Sequence, residues 1–214
     1  MLKVWGRRSS ANVQKVMWLV GELQIAHEQV PAGGPYGVVS EPQFRAMNPN
    51  GLVPVIEDGG LVMWESNAIL RYLAAAYGKE TFWSDDARTR APVDQWLDWS
   101  GTTFQPDLIG LFVNYWRTPE AQRNPTVIRN FQQRSERSLR LLDAELAKRA
   151  YIAGDSFAVA DIASGVHLYR YYTMGTDFPA LPNVEAWYKR LQDRAAYREH
   201  VMISYEELRG RLSF

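Results

Sequence analysis

The sequence predicts two unlike halves: an α/β unit over residues 1–78 and an all-helical unit over residues 87–214. Three observations predict this. Short apolar runs alternate with helical repeats in the first 78 residues. Two of those runs meet at Asp58-Gly59-Gly60, turn chemistry that joins antiparallel strands. Beyond Gly78 the strand-like runs stop, and apolar residues recur at spacings of three and four.

The elements follow in order. Leu2–Gly6 is a short apolar strand. Val13, Val16, Met17 and Val20 place a helix over Asn12–Leu23. Ile25–Val30 is a second strand with a polar middle, and Pro31–Ser40 is a loop rich in Pro and Gly. A short helix is expected over Glu41–Met47. Asn48–Gly51 is dense turn chemistry, Val53–Glu57 and Leu61–Trp64 form the hairpin, and a helix starts at Ser66. Its apolar stripe is Ile69, Leu70, Leu73, Ala76 and Tyr77, and Gly78 can close it. The first half therefore reads β-α-β-α-β-β-α, and 79–86 is a polar connector. In the second half, Val93, Trp96, Leu97, Ser100 and Phe104 share one helical face. Ile128, Phe131, Ser135, Leu139, Leu142 and Leu146 form a longer stripe. Further helices are expected over Ala158–Tyr172 and Val184–Arg194, separated by Pro179 and Pro182.

Composition excludes several classes of function. The 24 basic and 24 acidic residues cancel, whereas chains dominated by phosphate neutralisation carry a basic excess. No nucleic-acid partner is expected. There is no Cys, which rules out a disulfide scaffold, a thiolate metal site and a cysteine nucleophile. The three His residues, His27, His167 and His200, lack metal-ligand spacing, so no metal is expected. No apolar stretch reaches the ~18–20 residues of a membrane span, and the N-terminal residues lack the apolar core of a signal peptide. The expected compartment is the cytoplasm. Eight Trp, eleven Tyr and eight Phe supply apolar surface for a sizeable core.

Four clusters carry the chemistry. Arg7-Arg8-Ser9-Ser10-Ala11-Asn12 lies between the first strand and the first helix. Its Ser and Asn residues serve either as a helix cap or as part of an anion site at the helix N-terminus, where a thiolate would be stabilised. Pro54 inside an apolar run marks either an edge strand or a cis Val53–Pro54 bond. In the cis case the Val53 backbone could pair with an extended peptide. Glu65-Ser66 at the third helix start is either an N-cap or a reader of an amino-acid head group, Ser66 taking the carboxylate and Glu65 the ammonium. Asp161, three residues after Ala158, is a structural residue that reaches back to the helix start.

Taken together, the sequence resembles the cytosolic glutathione S-transferase superfamily. The resemblance rests on the β-α-β-α-β-β-α order, N-P-N-G-L-V-P-V before the hairpin, W-E-S-N-A-I-L-R-Y-L after it, and F-A-V-A-D-I in the helical half. It implies a thioredoxin-like, glutathione-binding N-terminal domain over 1–78. It also implies an all-α C-terminal domain over 87–214 that forms the electrophile pocket, and a homodimer. By this resemblance Val53 pairs with the cysteinyl unit of glutathione, with Pro54 cis, and Glu65 and Ser66 hold the γ-glutamyl group. Ser10 faces the thiol with Asn12 assisting, and Ser9 is the second candidate. The region near the first strand offers Trp5 and no Tyr, against the tyrosine-type classes. Leu52 stands where the family often has Lys or Gln against the glycyl carboxylate, and cannot make that contact. Ala158 stands where the family usually has Ser or Thr. Trp99, Phe104, Tyr115, Trp116, Tyr169 and Tyr172 are candidate walls for the second substrate, and Arg71 and Tyr72 are candidates for a dimer interface.

The expected function is transfer of glutathione to hydrophobic electrophiles. It uses glutathione as co-substrate and no cofactor. A glutathione-dependent disulfide or peroxide reductase and a non-catalytic glutathione-binding module remain open as alternatives. Thiol transfer through a protein Cys is excluded by composition.

Overall fold

The computed structural model describes residues 1–79 and 81–212. The expected connector includes Glu80, and the expected helical half includes Ser213 and Phe214; those three lie outside the described residues. The strands are β1 (Leu2–Trp5), β2 (His27–Val30), β3 (Val55–Asp58) and β4 (Leu61–Trp64). They form one sheet in the order β2-β1-β3-β4. β1 pairs with β2 in parallel, Leu2 opposite His27, and with β3 in antiparallel, Lys3 opposite Glu57. β3 and β4 form the predicted hairpin, with Asp58 opposite Leu61. β4 is an edge, and it leaves Leu61, Val62 and Trp64 exposed.

Helices α1 (Ala11–Glu22), α2 (Pro42–Met47) and α3 (Ser66–Tyr77) accompany the sheet. The helical half contains α4 (Ala87–Trp99), α5 (Gln105–Phe112), α6 (Pro125–Leu146), α7 (Val159–Gly165), α8 (Leu168–Thr173), α9 (Pro182–Gln192) and α10 (Ala195–His200). Sequence punctuation explains several boundaries. Asn124 caps α6, accepting from Thr126 N at 3.0 Å and Val127 N at 3.2 Å, and Pro125 follows where its missing N–H costs nothing. Asp86 caps α4 through Thr89 N at 2.8 Å. Gly110 lets α5 approach α6, since a Cβ there would lie 2.2 Å from the Phe131 ring.

Two expectations are corrected. The helix expected over Ala158–Tyr172 breaks between α7 and α8 around His167. The stripe of α3 runs through Ile69, Leu70, Leu73 and Ala74; Ala76 and Tyr77 face solvent. Arg71 is engaged within the chain by Asp94 at 2.7 Å and Asp98 at 2.6 Å, and Tyr72 donates to Asp58 at 2.8 Å.

One apolar core runs through both halves, and α1 is its hinge pin. Trp18 of α1 is wholly buried between Tyr197, at 4.6 Å between ring centroids, and Phe157, at 5.6 Å. Its indole N–H donates to Glu22 at 2.9 Å, and Glu22 is held by Arg194 through two bonds of 2.7 Å. On the far side, buried Asp161 accepts from Ile152 N at 3.0 Å, Ala158 N at 2.9 Å and Trp187 Nε1 at 2.9 Å. The predicted reach-back to Ala158 is therefore one of three bonds. Asp161→Ala would leave three buried donors without an acceptor and should destabilise the protein by about 3 kcal/mol or more. Urea unfolding of the two proteins, compared at equal slope, measures this loss.

Candidate active site

Two concavities meet at the N-terminus of α1. One is a small cleft of about 50 Å³ lined by Asn12, Asn50, Val53, Pro54, Glu65 and Ser66. The other is a cavity of about 140 Å³ between Ser10 and Asn12 on one side and Leu108, Phe112, Arg170 and Met174 on the other. Asn12 lines both.

The cleft floor is set by the Val53–Pro54 peptide, which is cis. β3 begins only at Val55, so Pro54 stands before the ladder rather than inside it. Among the described residues neither the N–H nor the carbonyl of Val53 takes a hydrogen-bond partner. An unpaired donor and acceptor on one residue are what an extended peptide needs for strand-like pairing. Leu52 turns its side chain to solvent, while its carbonyl accepts from Asn48 Nδ2 at 2.8 Å.

The opposite rim differs from the expected Ser66 cap. Glu65 occupies the N-cap position and Ser66 is the first residue of α3. Glu65 has φ +71°, the left-handed region that disfavours any residue with a Cβ. Holding a glutamate there costs on the order of 1–3 kcal/mol, and such outliers cluster at ligand sites. Its side chain is exposed at the cleft. The first N–H groups of α3 have no acceptor within the helix.

Behind Ser66 lies a cation that composition does not reveal. Lys15, on α1, is 1% exposed. Its ammonium donates to Ser66 Oγ at 3.4 Å, to Asn67 Oδ1 at 3.2 Å and to Gln105 Oε1. Ser66 in turn donates to Asn12 Oδ1 at 3.3 Å. All of these partners are neutral. Burial, opposed by the charge of Glu65, lowers the Lys15 ammonium to about 7.

The two serines have different surroundings. Ser9 is buried; its hydroxyl donates to Glu207 and accepts from Arg7 Nε at 3.2 Å. Its only proton is thereby committed. Ser10 caps α1, accepting from Val13 N at 3.5 Å, and its own proton has no acceptor among the described residues. Asn12 keeps its Nδ2 donor without a partner among the described residues, its Oδ1 being occupied by Ser66.

The six aromatic residues expected as walls line neither concavity. Phe104 is wholly buried and stacks on Trp99 at 5.3 Å. Tyr115 donates to the Gly175 carbonyl at 3.0 Å. Trp116 is buried against Tyr205, with ring centroids 5.0 Å apart, Tyr169 meets the same ring edge-on at 6.0 Å, and Tyr172 stacks on Tyr188. Helical spacing alone does not separate a core-facing aromatic from a cavity-facing one. Residues missed at the sequence level are Lys15 as a buried cation, Arg170, Gln105 and the cavity wall of Leu108, Phe112 and Met174. Arg170 and Met174 differ by four positions, the signal of a shared helical face. Among the described residues no cluster could hold a metal ion.

A small mixed sheet with a cis-proline loop beside a helix N-terminus, backed by a helical domain, is the architecture of the thioredoxin-like class. Comparison with known proteins gives the family. The profile described as glutathione S-transferase, N-terminal domain, matches residues 5–81, and the corresponding C-terminal domain profile matches 125–190. Glutathione S-transferase GstB of Escherichia coli K12 is 40% identical over 205 residues, covering 95% of this chain and 99% of the relative. Glutathione S-transferase 4 of Zea mays is 30% identical and covers 91% of this chain and 89% of the relative. The theta class enzyme of Xanthomonas axonopodis pv. citri with glutathione bound is 41% identical with a TM-score of 0.91, over 95% of this chain and 98% of that one. The chain belongs to the glutathione S-transferase family and is a glutathione transferase.

The Lys15 site makes a pH prediction. The unfolded Lys keeps its proton up to about 10.5, whereas the folded one releases it near 7. Between these values the unfolded state binds more protons, so this residue makes stability rise with pH. The melting temperature of the wild type minus that of Lys15→Met should increase from pH 7 to about pH 9.5. A flat difference would show that Lys15 titrates as it does in the unfolded chain.

Proposed function

We propose that the chain binds glutathione across the cleft and presents its sulfur at the N-terminus of α1. There Ser10 holds it as the thiolate for attack on an electrophile in the adjoining cavity. The observation that carries this reading is the shared wall: Asn12 lines both concavities, and Ser10 stands beside it. The glutathione-bound Xanthomonas relative supports the ligand.

The cysteinyl and γ-glutamyl parts of the tripeptide have matching groups. The unpaired Val53 backbone suits the cysteinyl unit. The open N–H groups of α3, with the Lys15 ammonium behind Ser66, suit the γ-glutamyl carboxylate. Glu65 suits its ammonium. The sulfur then reaches the first turn of α1, where the Ser10 hydroxyl has a proton to donate. An unperturbed thiol has a pKa near 8.5, and lowering it by about two units requires roughly 2.7 kcal/mol of preferential thiolate binding. A hydroxyl donor and a helix N-terminus supply about 1–3 kcal/mol and about 0.3–2 kcal/mol, respectively. No general base is required. The leaving group departs into a cavity with apolar walls at Leu108, Phe112 and Met174, which suits a carbon electrophile. The same reading includes a homodimer, for which exposed Leu61, Val62 and Trp64 offer apolar surface.

Calorimetry should show uptake of glutathione at millimolar concentration; no heat at that concentration would end the proposal. Ser10→Ala should lower kcat for chlorodinitrobenzene conjugation by about 10- to 100-fold with little change in glutathione affinity. Glu65→Ala should mainly raise the glutathione KM, by about tenfold. Conjugation measured beside reduction of hydroxyethyl disulfide separates the transferase from a reductase.

A further inference from the structure

The cavity beside Ser10 holds more positive charge than a pocket for neutral electrophiles requires. Arg170 of α8 is 9% exposed. Its Nη2 donates to the Ser9 carbonyl at 2.7 Å and to Gln14 Oε1 at 3.3 Å, both neutral acceptors. Its Nε and Nη1 take no partner among the described residues, and it lines the cavity. The guanidinium lies over the rings of Phe112, at 4.9 Å, and Tyr205, at 5.7 Å. Two further arginines line the same cavity. Arg7 donates to Ser9 Oγ and lies near Glu207, and Arg117 donates to the carbonyls of Arg211 at 2.8 Å and Leu212 at 3.1 Å. Burial, with the charges of Arg7 and Arg117, lowers Arg170 to about 10, so it remains a cation at neutral pH. His167, also on the wall, is held neutral by burial and by the charges of Lys15 and Arg170. A buried guanidinium with open donors and no carboxylate partner is an incomplete ion pair. The planar fork of arginine matches a carboxylate.

We propose that this cavity selects electrophiles that carry a carboxylate on a compact apolar body, with Arg170 as the principal anion-binding residue and Leu108, Phe112 and Met174 against the body. This rests on the reading that the glutathione sulfur sits at Ser10. In the step itself a C–S bond forms between glutathione and the electrophilic carbon. The bond to the leaving group breaks, that group departs with its electron pair, and the thiol proton passes to solvent.

The test uses 4-chloro-3,5-dinitrobenzoate and its uncharged amide, each rate divided by the uncatalysed rate with glutathione. The wild type should favour the carboxylate by at least about tenfold in kcat/KM, as expected for one charge-assisted contact. Equal values, or preference for the amide, would overturn the proposal. Arg170→Gln should lower the carboxylate-to-amide ratio to near unity. Arg117→Gln, at a half-exposed position, should lower it in part and covers the case in which the Arg170 variant does not fold. If instead both variants leave the ratio fixed and raise the glutathione KM for both substrates, the arginines serve glutathione's own carboxylates, and the proposal is wrong. Binding of 3,5-dinitrobenzoate against 1,3-dinitrobenzene, measured by calorimetry without glutathione, separates the two levels of the argument. Preference for the anion there sustains the cavity assignment even if glutathione itself is not taken up, whereas absence of any preference overturns it.

Discussion

The placement of α1 governs everything else in this molecule. The helix is buried along most of its length, packed on the sheet and α3 on one side and on α7 and α10 on the other. Trp18 anchors its middle, and the Glu22–Arg194 pair anchors its end. An α-helix is stiff over three turns, so fixing its body also fixes the direction of its first N–H groups. In the proposed reading those groups receive the sulfur of glutathione, the chain having no thiol of its own. The cleft is lined by loops of the sheet half and by the start of α3, whereas the far wall of the cavity belongs to the helical half. Among the described residues, Asn12 of α1 lines both.

Polar burial on the two sides of that helix is asymmetric in a useful way. Lys15 faces the cleft side and Arg170 the cavity side, each surrounded by neutral oxygen acceptors instead of carboxylates. Buried cations without carboxylates are costly to an empty protein, and the cost falls when an anion arrives. In the proposed reading, anionic ligands would bind with part of the desolvation already met by the fold. Ser9, Arg7 and Glu207 form the structural side of the same region, which leaves Ser10 as the serine with a free proton.

Much of the fold was legible in the sequence because its signals are local. Hydrophobic spacing and turn chemistry located all four strands and α1 to α3, with boundary shifts of a residue or two. Asp161 was readable because a carboxylate three residues into a helix has few roles there: it reaches back to the helix start. Pro54 by itself left an edge strand and a cis bond open, and only the family resemblance pointed to the cis bond that the structure has. The break at His167 was not readable, since the apolar pattern continues across it. The cavity wall was not readable either. Phe104 and Trp99 have the same periodicity as Leu108 and Phe112, and which face meets the cavity depends on how α4 and α5 rotate about one another through the π-helical turn at Ser100–Phe104. Lys15 looks like an ordinary surface lysine on a helix until α3 and α5 close over it. Long-range packing makes these assignments, and one chain's pattern does not encode them locally.

The backbone at Glu65 has an evolutionary and practical corollary. Its φ of +71°, with ψ 106°, would be relaxed by Gly, which has no Cβ. Any programme that ranks substitutions by thermal robustness alone would therefore put glycine there. It would gain a firmer scaffold and delete the carboxylate at the rim in the same step. Thermostabilisation and ligand recognition are thus set against each other at a single position, and optimisation of this enzyme should hold residue 65 fixed.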